Sequence, residues 1–209
     1  MYQKYADEIK QTLDSISWDA VDQVVDVLHR ARLEKQNIFV FGNGGSASTA
    51  QPMACDLNKN TRTNRYPPFR VRSLSDNMAL FSAFANDEGY ENVFVGQLQS
   101  FASKGDIVIA ISASGNSPNV LSAVEFANQS GVITVGWSGF DGGTLARLVQ
   151  FPVVIPNHCI EQIEDIHLML EHMVTAALRA KEISLAQHNP DGLERTVGEH
   201  AYILPEITG

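Results

Sequence analysis

The stretch from Ile38 to Leu57 constrains the fold of this chain more than any other. Ile38-Phe39-Val40-Phe41 is apolar at four consecutive positions, which reads as a strand buried on both faces of a parallel sheet. Gly42, Gly44 and Gly45 then let the backbone turn sharply and approach a ligand closely. Ser46-Ala47-Ser48-Thr49-Ala50 supplies an N-cap and a helix start, so a helix is expected over 46–58. Strand, glycine turn and helix N-terminus together form an anion site, because free N–H groups and the helix dipole converge on one spot. No Lys-Ser/Thr pair follows the glycines, so the loop is not a Walker A loop. The G-x-G-x-x-G spacing of a dinucleotide site is absent as well. A tight βα turn with glycines for packing alone is the competing reading.

The pattern recurs. Asp106 to Ile111 is a second buried strand, and it ends in Ser112-Ala113-Ser114-Gly115-Asn116-Ser117-Pro118-Asn119 before a helix over 120–130. Val132 to Trp137 is a third such strand, followed by a glycine-rich loop and a helix over 144–148; Val153-Val154-Ile155 is a short fourth. Between the first two units, Phe69 to Leu74 alternates like a strand, Asp76 is placed to cap a helix over 78–85, and 91–100 reads as a helix burying Val93, Phe94, Gln97 and Leu98. Residues 2–36 read as helices, with Ser17 or Asp19 as a cap ahead of Val21, Val24, Val25 and Leu28. A long helix is expected over 161–182 and an extended tail over 184–209. Strands alternating with helices specify a parallel α/β sheet with right-handed crossovers, and ligands on such sheets sit at the carboxyl ends of the strands. Both serine- and glycine-rich loops fall there. Hydroxyls and backbone N–H groups can hold the phosphate of a small polyhydroxylated molecule without a dedicated lysine, whereas a helix cap alone would need only one of the three serines.

Twenty-four acidic residues against fifteen basic ones, net −9, argue against a nucleic-acid surface spread over the molecule, although Lys59, Arg62, Arg65, Arg70 and Arg72 cluster in sequence. Cys55 and Cys159 do not make a disulfide framework, and a cytoplasmic setting is expected. The polar N-terminus does not read as a secretory signal, and no apolar run is long enough for a membrane span.

Gly42-Asn43-Gly44-Gly45-Ser46, Asn86-Asp87 and Ser112-Ala113-Ser114-Gly115-Asn116-Ser117, in that order, resemble the SIS (sugar isomerase) domain, and within it the phosphoheptose isomerase branch that acts on sedoheptulose 7-phosphate. The resemblance implies a flavodoxin-like three-layer α/β sandwich over residues 1–183, with N-terminal helices and a long C-terminal helix, and leaves 184–209 as a tail outside it. It implies a homotetramer with sites at subunit interfaces. It also implies that Asn43, Gly44, Gly45, Ser46, Asn86, Asp87, Ser112, Ala113, Ser114, Ser117 and Glu164 bind a phosphorylated sugar.

At the catalytic positions the chain departs from the family. The family uses a His and, four residues on, a Glu on the first helix after the sheet begins. It adds a Gln and, eight residues on, a His on the last helix, and these hold zinc. Here the first His position is Pro52, the Glu position Asp56 and the Gln position Glu164, while the final His is present as His172. Proline cannot ligate a metal and removes a helix N–H, so a local kink is expected. Asp56, Glu164 and His172 remain as a weak metal set, and the site holds either no cofactor or a weakly bound divalent ion. His158 and His167 are lesser candidates. The resemblance makes Asp56 and His172 the proton-moving pair of an aldose–ketose isomerase working through an enediol. The other reading is a non-catalytic SIS module that binds a sugar phosphate or a protein partner such as a replication initiator. Loss of the first His favours the module; the carboxylate and His172 favour the isomerase.

Overall fold

The computed structural model describes residues 1–186. Helices α1 (Tyr2–Leu13) and α2 (Trp18–Glu34) lead into strand β1 (Asn37–Gly42) and helix α3 (Gly45–Lys59). Strand β2 (Arg70–Ser73), helix α4 (Met78–Asp87), a short 3-10 turn at Tyr90–Asn92 and helix α5 (Val95–Phe101) follow. The second half runs β3 (Ile107–Ser112), α6 (Pro118–Gln129), β4 (Ile133–Gly139), α7 (Gly143–Leu148), β5 (Phe151–Ile155) and α8 (Ile160–Ala186). Helix α8 therefore reaches beyond the expected stop at Glu182, and the expected tail from 187 onward lies outside the described residues.

All five strands are parallel, in the order β2-β1-β3-β4-β5. That order is flavodoxin-like, and its direction reverses between β1 and β3, so the loops after these two strands flank the crevice where such sheets take ligands. The apolar run of β1 is used on both faces. Ile38 and Val40 join a core with α2, α3 and α8 that includes Val24, Leu28, Met53, Trp137 and Leu170. Phe39 and Phe41 point the other way, into a core with α5, α6 and α7 that includes Phe94, Leu98, Val124 and Leu145. Successive strand side chains alternate faces, so a continuous apolar strand needs helices on both sides, and this three-layer arrangement supplies them.

Local signals account for most helix ends. Ser17 caps α2 by accepting from Ala20 N. At α4 the cap is Asn77, whose side chain accepts from Leu80 N, and not the expected Asp76. Helix α3 starts after Gly44, which occupies the N-cap position at φ +53°, so Ser46 is not the cap but a buried residue of the first turn. The expected helix over 91–100 resolves into the 3-10 turn and the shorter α5, and Val93, Phe94, Gln97 and Leu98 are all buried. Gln97 is satisfied there by donating to Leu74 O and Val93 O. Helix α1 docks on α8 through polar bonds: Tyr5 Oη donates to Asp165, and Gln162 Nε2 donates to Glu8.

Candidate active site

The serine loop after β3 spends none of its hydroxyls on capping the helix that follows. Ser117 sits at the N-cap of α6 but makes no side-chain cap bond. Its Oγ instead pairs with Ser112 Oγ at 3.0 Å. Ser114 Oγ accepts from Asn116 N at 3.2 Å, which shapes the turn. None of the three serine hydroxyls therefore caps α6, and its first N–H groups lack a side-chain acceptor from Ser117. Gly115 stands at φ +64°, and a Cβ there would lie 2.2 Å from Gly142 O, so the loop packs backbone to backbone against the β4–α7 turn. Leu145 N donates to Gly115 O and Thr144 N to Asn116 Oδ1, which fixes that contact. Ala113 is buried beneath the loop, and its carbonyl accepts from Gly139 N.

The loop after β1 is tied to the serine loop by an amide pair. Asn43 Nδ2 donates to Asn119 Oδ1, and Asn119 Nδ2 donates back to Asn43 Oδ1, both at 2.9 Å. Tyr90 Oη also donates to Asn43 Oδ1 at 2.9 Å, which brings the turn after α4 to the same place. Asn86 and Asp87 end α4, with Asn86 Nδ2 donating to Asp87 Oδ1 at 2.6 Å. Asn119 and Tyr90 escaped the sequence reading. Asn119 closes the serine loop, and its pairing with Asn43 across the switch point shows what it does.

Glu164 lies at the first turn of α3. A Cβ at Gly45 would fall 2.3 Å from its Oε2, so the carboxylate rests directly on the glycine backbone. A carboxylate near a helix N-terminus is favourable through the helix dipole.

Farther along α3, Asp56 meets α8. Asp56, Glu171 and His172 each bring a ligand atom to within 4.8 Å of the other two. Asn60 Nδ2 donates to Asp56 Oδ1 at 2.7 Å, holding one carboxylate oxygen and leaving the other free. Thr175 Oγ1 donates to Glu171 Oε1 at 3.2 Å. Glu171 Oε2 lies 3.2 Å from His172 Nε2, yet it is buried without an aligned hydrogen bond. Burial raises the Glu171 carboxyl above its usual range, and the nearby Asp56 charge adds to this, while His172 and Thr175 pull the other way. The His172 side chain is 61% exposed.

The structure thus brings Asp56 and His172 together, as the sequence reading expected, but with Glu171 in place of Glu164. The reason is geometric. Glu164, two turns before His172, lies against Gly45 at the start of α3, whereas Glu171 is the neighbour of His172 and comes within reach of Asp56. The signal for Glu171 was its position: an acid next to Leu170 on the buried face that Ile163, Ile166, Val174 and Leu178 also line. The lesser candidates stand elsewhere. His167 is fully buried against Trp137, its Nε2 3.4 Å from Ser138 O, and burial holds its imidazole down at about 4. His158 packs on Phe140 at the rim of a cavity of about 500 Å³ near the start of α8. Helix α3 continues through Pro52, which puts residue 52 one turn before Asp56 on the same face.

Fold and site together define a doubly wound α/β domain that takes a small anionic ligand at the carboxyl edge of its sheet. The family model described as SIS domain matches residues 2–139. A phosphoheptose isomerase 2 of Campylobacter jejuni is 38% identical over 138 residues, 66% of this chain and 68% of that one. A phosphoheptose isomerase of Helicobacter pylori is 34% identical over 170 residues, covering 81% and 88%. The solved structure of phosphoheptose isomerase GmhA from Neisseria gonorrhoeae superposes with a TM-score of 0.77 at 25% identity, covering 86% of this chain and 95% of that one. The chain belongs to the SIS domain family.

Proposed function

We propose that this chain is a sugar-phosphate aldose–ketose isomerase that acts on sedoheptulose 7-phosphate. The observation that carries the reading is the meeting of Asp56 and His172 from two different helices, in a chain whose relatives are phosphoheptose isomerases. A binding module would have no need of a free carboxylate oxygen facing an exposed imidazole.

With Glu164 lying against the start of α3, the substrate phosphate is best received by Ser112, Ser114, Ser117 and the Asn119 N–H in the first turn of α6, where Pro118 has no N–H to offer. Asn43, Gly44, Gly45, Ser46, Asn86 and Asp87 would then line the sugar. Asp56 takes a proton from C1 of the ketose, an enediol forms, and the proton returns at C2 to give the aldose. Asn60 orients the Asp56 carboxylate, and His172 moves the proton between the two substrate oxygens. The Asp56, Glu171 and His172 side chains fit a divalent cation, since one carboxylate oxygen there is buried without a hydrogen-bonded partner. Such an ion would polarise the substrate oxygens and stabilise the developing negative charge.

Asp56 lies three turns along α3 from the first loop, about 16 Å by helix rise, which is farther than a seven-carbon chain with bonds of about 1.5 Å can span within one protomer. An enediol also has to be shielded from water, and an exposed His172 does not achieve that in one protomer. Both points support a homotetramer with its sites between protomers. Incubation with sedoheptulose 7-phosphate should yield the aldoheptose phosphate, and Asp56→Asn should abolish it. Full turnover by a variant carrying Asp56→Asn and His172→Ala together would remove the chemical assignment and favour the binding module.

A further inference from the structure

Glu171 is the residue in this site whose presence the sugar-binding loops do not explain. It is fully buried, in line with the buried His167 one turn before it and Thr175 one turn after it, and it is the acidic member of that polar stripe. Thr175 satisfies Oε1, while Oε2 faces His172 and the Asp56 carboxylate with no aligned hydrogen bond. A buried carboxylate with an unsatisfied oxygen, beside a second carboxylate, is costly unless a cation or a proton neutralises it. Ligand atoms on an ion at about 2.0–2.6 Å lie no more than about 5 Å from one another, which matches the 4.8 Å limit of this cluster.

We infer that Glu171 is a metal ligand, and that with Asp56 and His172 it forms a two-carboxylate, one-imidazole site in place of a set using residue 52 or Glu164. Proline at 52 has no donor to offer, and Glu164 lies against Gly45 at the start of α3 and is not a member of the cluster. Two oxygen ligands against one nitrogen favour a harder ion, so Mn²⁺ is the appropriate probe. The inference rests on the site of the proposed isomerase, but metal binding can be measured without turnover. A chain that binds Mn²⁺ through Glu171 and fails to isomerise any sugar phosphate would sink the isomerase and leave this assignment standing.

The test is Mn²⁺ binding to the full chain, stripped of metal, read by calorimetry and by the loss of the free-ion paramagnetic resonance signal. The unmodified chain should bind one Mn²⁺ per protomer. Glu171→Gln, which keeps the shape and removes the charge, should weaken binding at least tenfold, whereas Glu164→Gln should leave it unchanged. Thermal melts separate ligation from a structural role. Glu171→Gln should raise the metal-free melting temperature, because a buried charge is gone, and should lose the further rise that Mn²⁺ gives the unmodified chain. Equal Mn²⁺ affinity in Glu171→Gln, an equal Mn²⁺-induced rise in its melting temperature, weakening by Glu164→Gln as large as that by Glu171→Gln, or no binding by the unmodified chain at millimolar Mn²⁺ would each overturn the assignment.

Discussion

The Glu164 carboxylate rests on the Cα of Gly45, so that a methyl group at residue 45 would meet Oε2 at 2.3 Å. This contact joins the last helix to the turn after β1 and places a negative charge at the N-terminus of α3. Gly45→Ala should therefore push the flexible Glu164 carboxylate aside, at a cost that offsets part of the gain of about 1 kcal/mol from the better helix propensity of alanine. In a Glu164→Ala background the same change should be stabilising by the whole of that gain. Urea denaturation of the four proteins measures the coupling, and additive effects would show that the contact carries no energy.

The serine loop gives the firmest functional expectation. Ser112 and Ser117 bond each other and neither caps α6, so replacing both by Ala should leave the fold intact. Two lost hydroxyl contacts to a phosphate, at about 0.5–1.5 kcal/mol each, weaken sedoheptulose 7-phosphate binding about ten- to a hundredfold. Unchanged affinity by calorimetry in the double variant would put the phosphate elsewhere.

How much of this was legible in the sequence follows from what is local and what is not. Buried strands, their helices and the two loops at the carboxyl edge could be read because residues 38–41 of β1 and 107–111 of β3 are unbroken apolar runs, a pattern that a covered parallel sheet demands. Family motifs named Asn43, Ser112 and Ser117, and matched positions named Asp56 and His172. The rest depends on tertiary geometry. Whether Glu164 or Glu171 joins Asp56 turns on where α8 crosses α3 and on how far one helix carries a side chain along its axis. Asp76 and Asn77 are both good caps in isolation, and only the backbone decides between them. Asn119 looks like a helix residue until Asn43 is brought across the switch point to meet it.

Stability should depend on pH through His167. Its imidazole titrates at about 4 in the fold, held down by burial, against about 6.5 in the unfolded chain. The unfolded state therefore takes up the proton first. The contribution is complete above pH 6.5 and is lost as pH falls toward 4, with about 2 kcal/mol gone by pH 5. His167→Gln should shrink the difference between urea midpoints at pH 7.5 and pH 5 by a corresponding amount. An identical difference in the variant would show that other groups control the acid limb.

Assembly is open to direct measurement. Leu168 and Met173 on α8, and Trp18 and Leu33 on α2, are exposed in a single protomer, and so is His172. Light scattering at micromolar concentration should give four times the 22.9 kDa chain mass. A monomeric mass would remove the shielding that the proposed chemistry requires.

The final prediction joins Pro52 to the metal. Proline at 52 withholds both a ligand and the N–H that would bond Ser48 O four residues earlier, although α3 runs on through it. Without a second nitrogen ligand, the Asp56, Glu171 and His172 set should hold zinc weakly, and the chain as purified should carry substoichiometric zinc or none. One tightly held zinc per protomer by elemental analysis would contradict this. Pro52→His restores the backbone donor and places an imidazole one turn before Asp56 on the same face. Zinc affinity should then rise at least tenfold and the melting temperature should rise even without metal. A higher metal-free melting temperature with unchanged zinc affinity would mean that residue 52 faces away from the cluster, and the departure from the family would then lie in the path of α3 rather than in the missing imidazole.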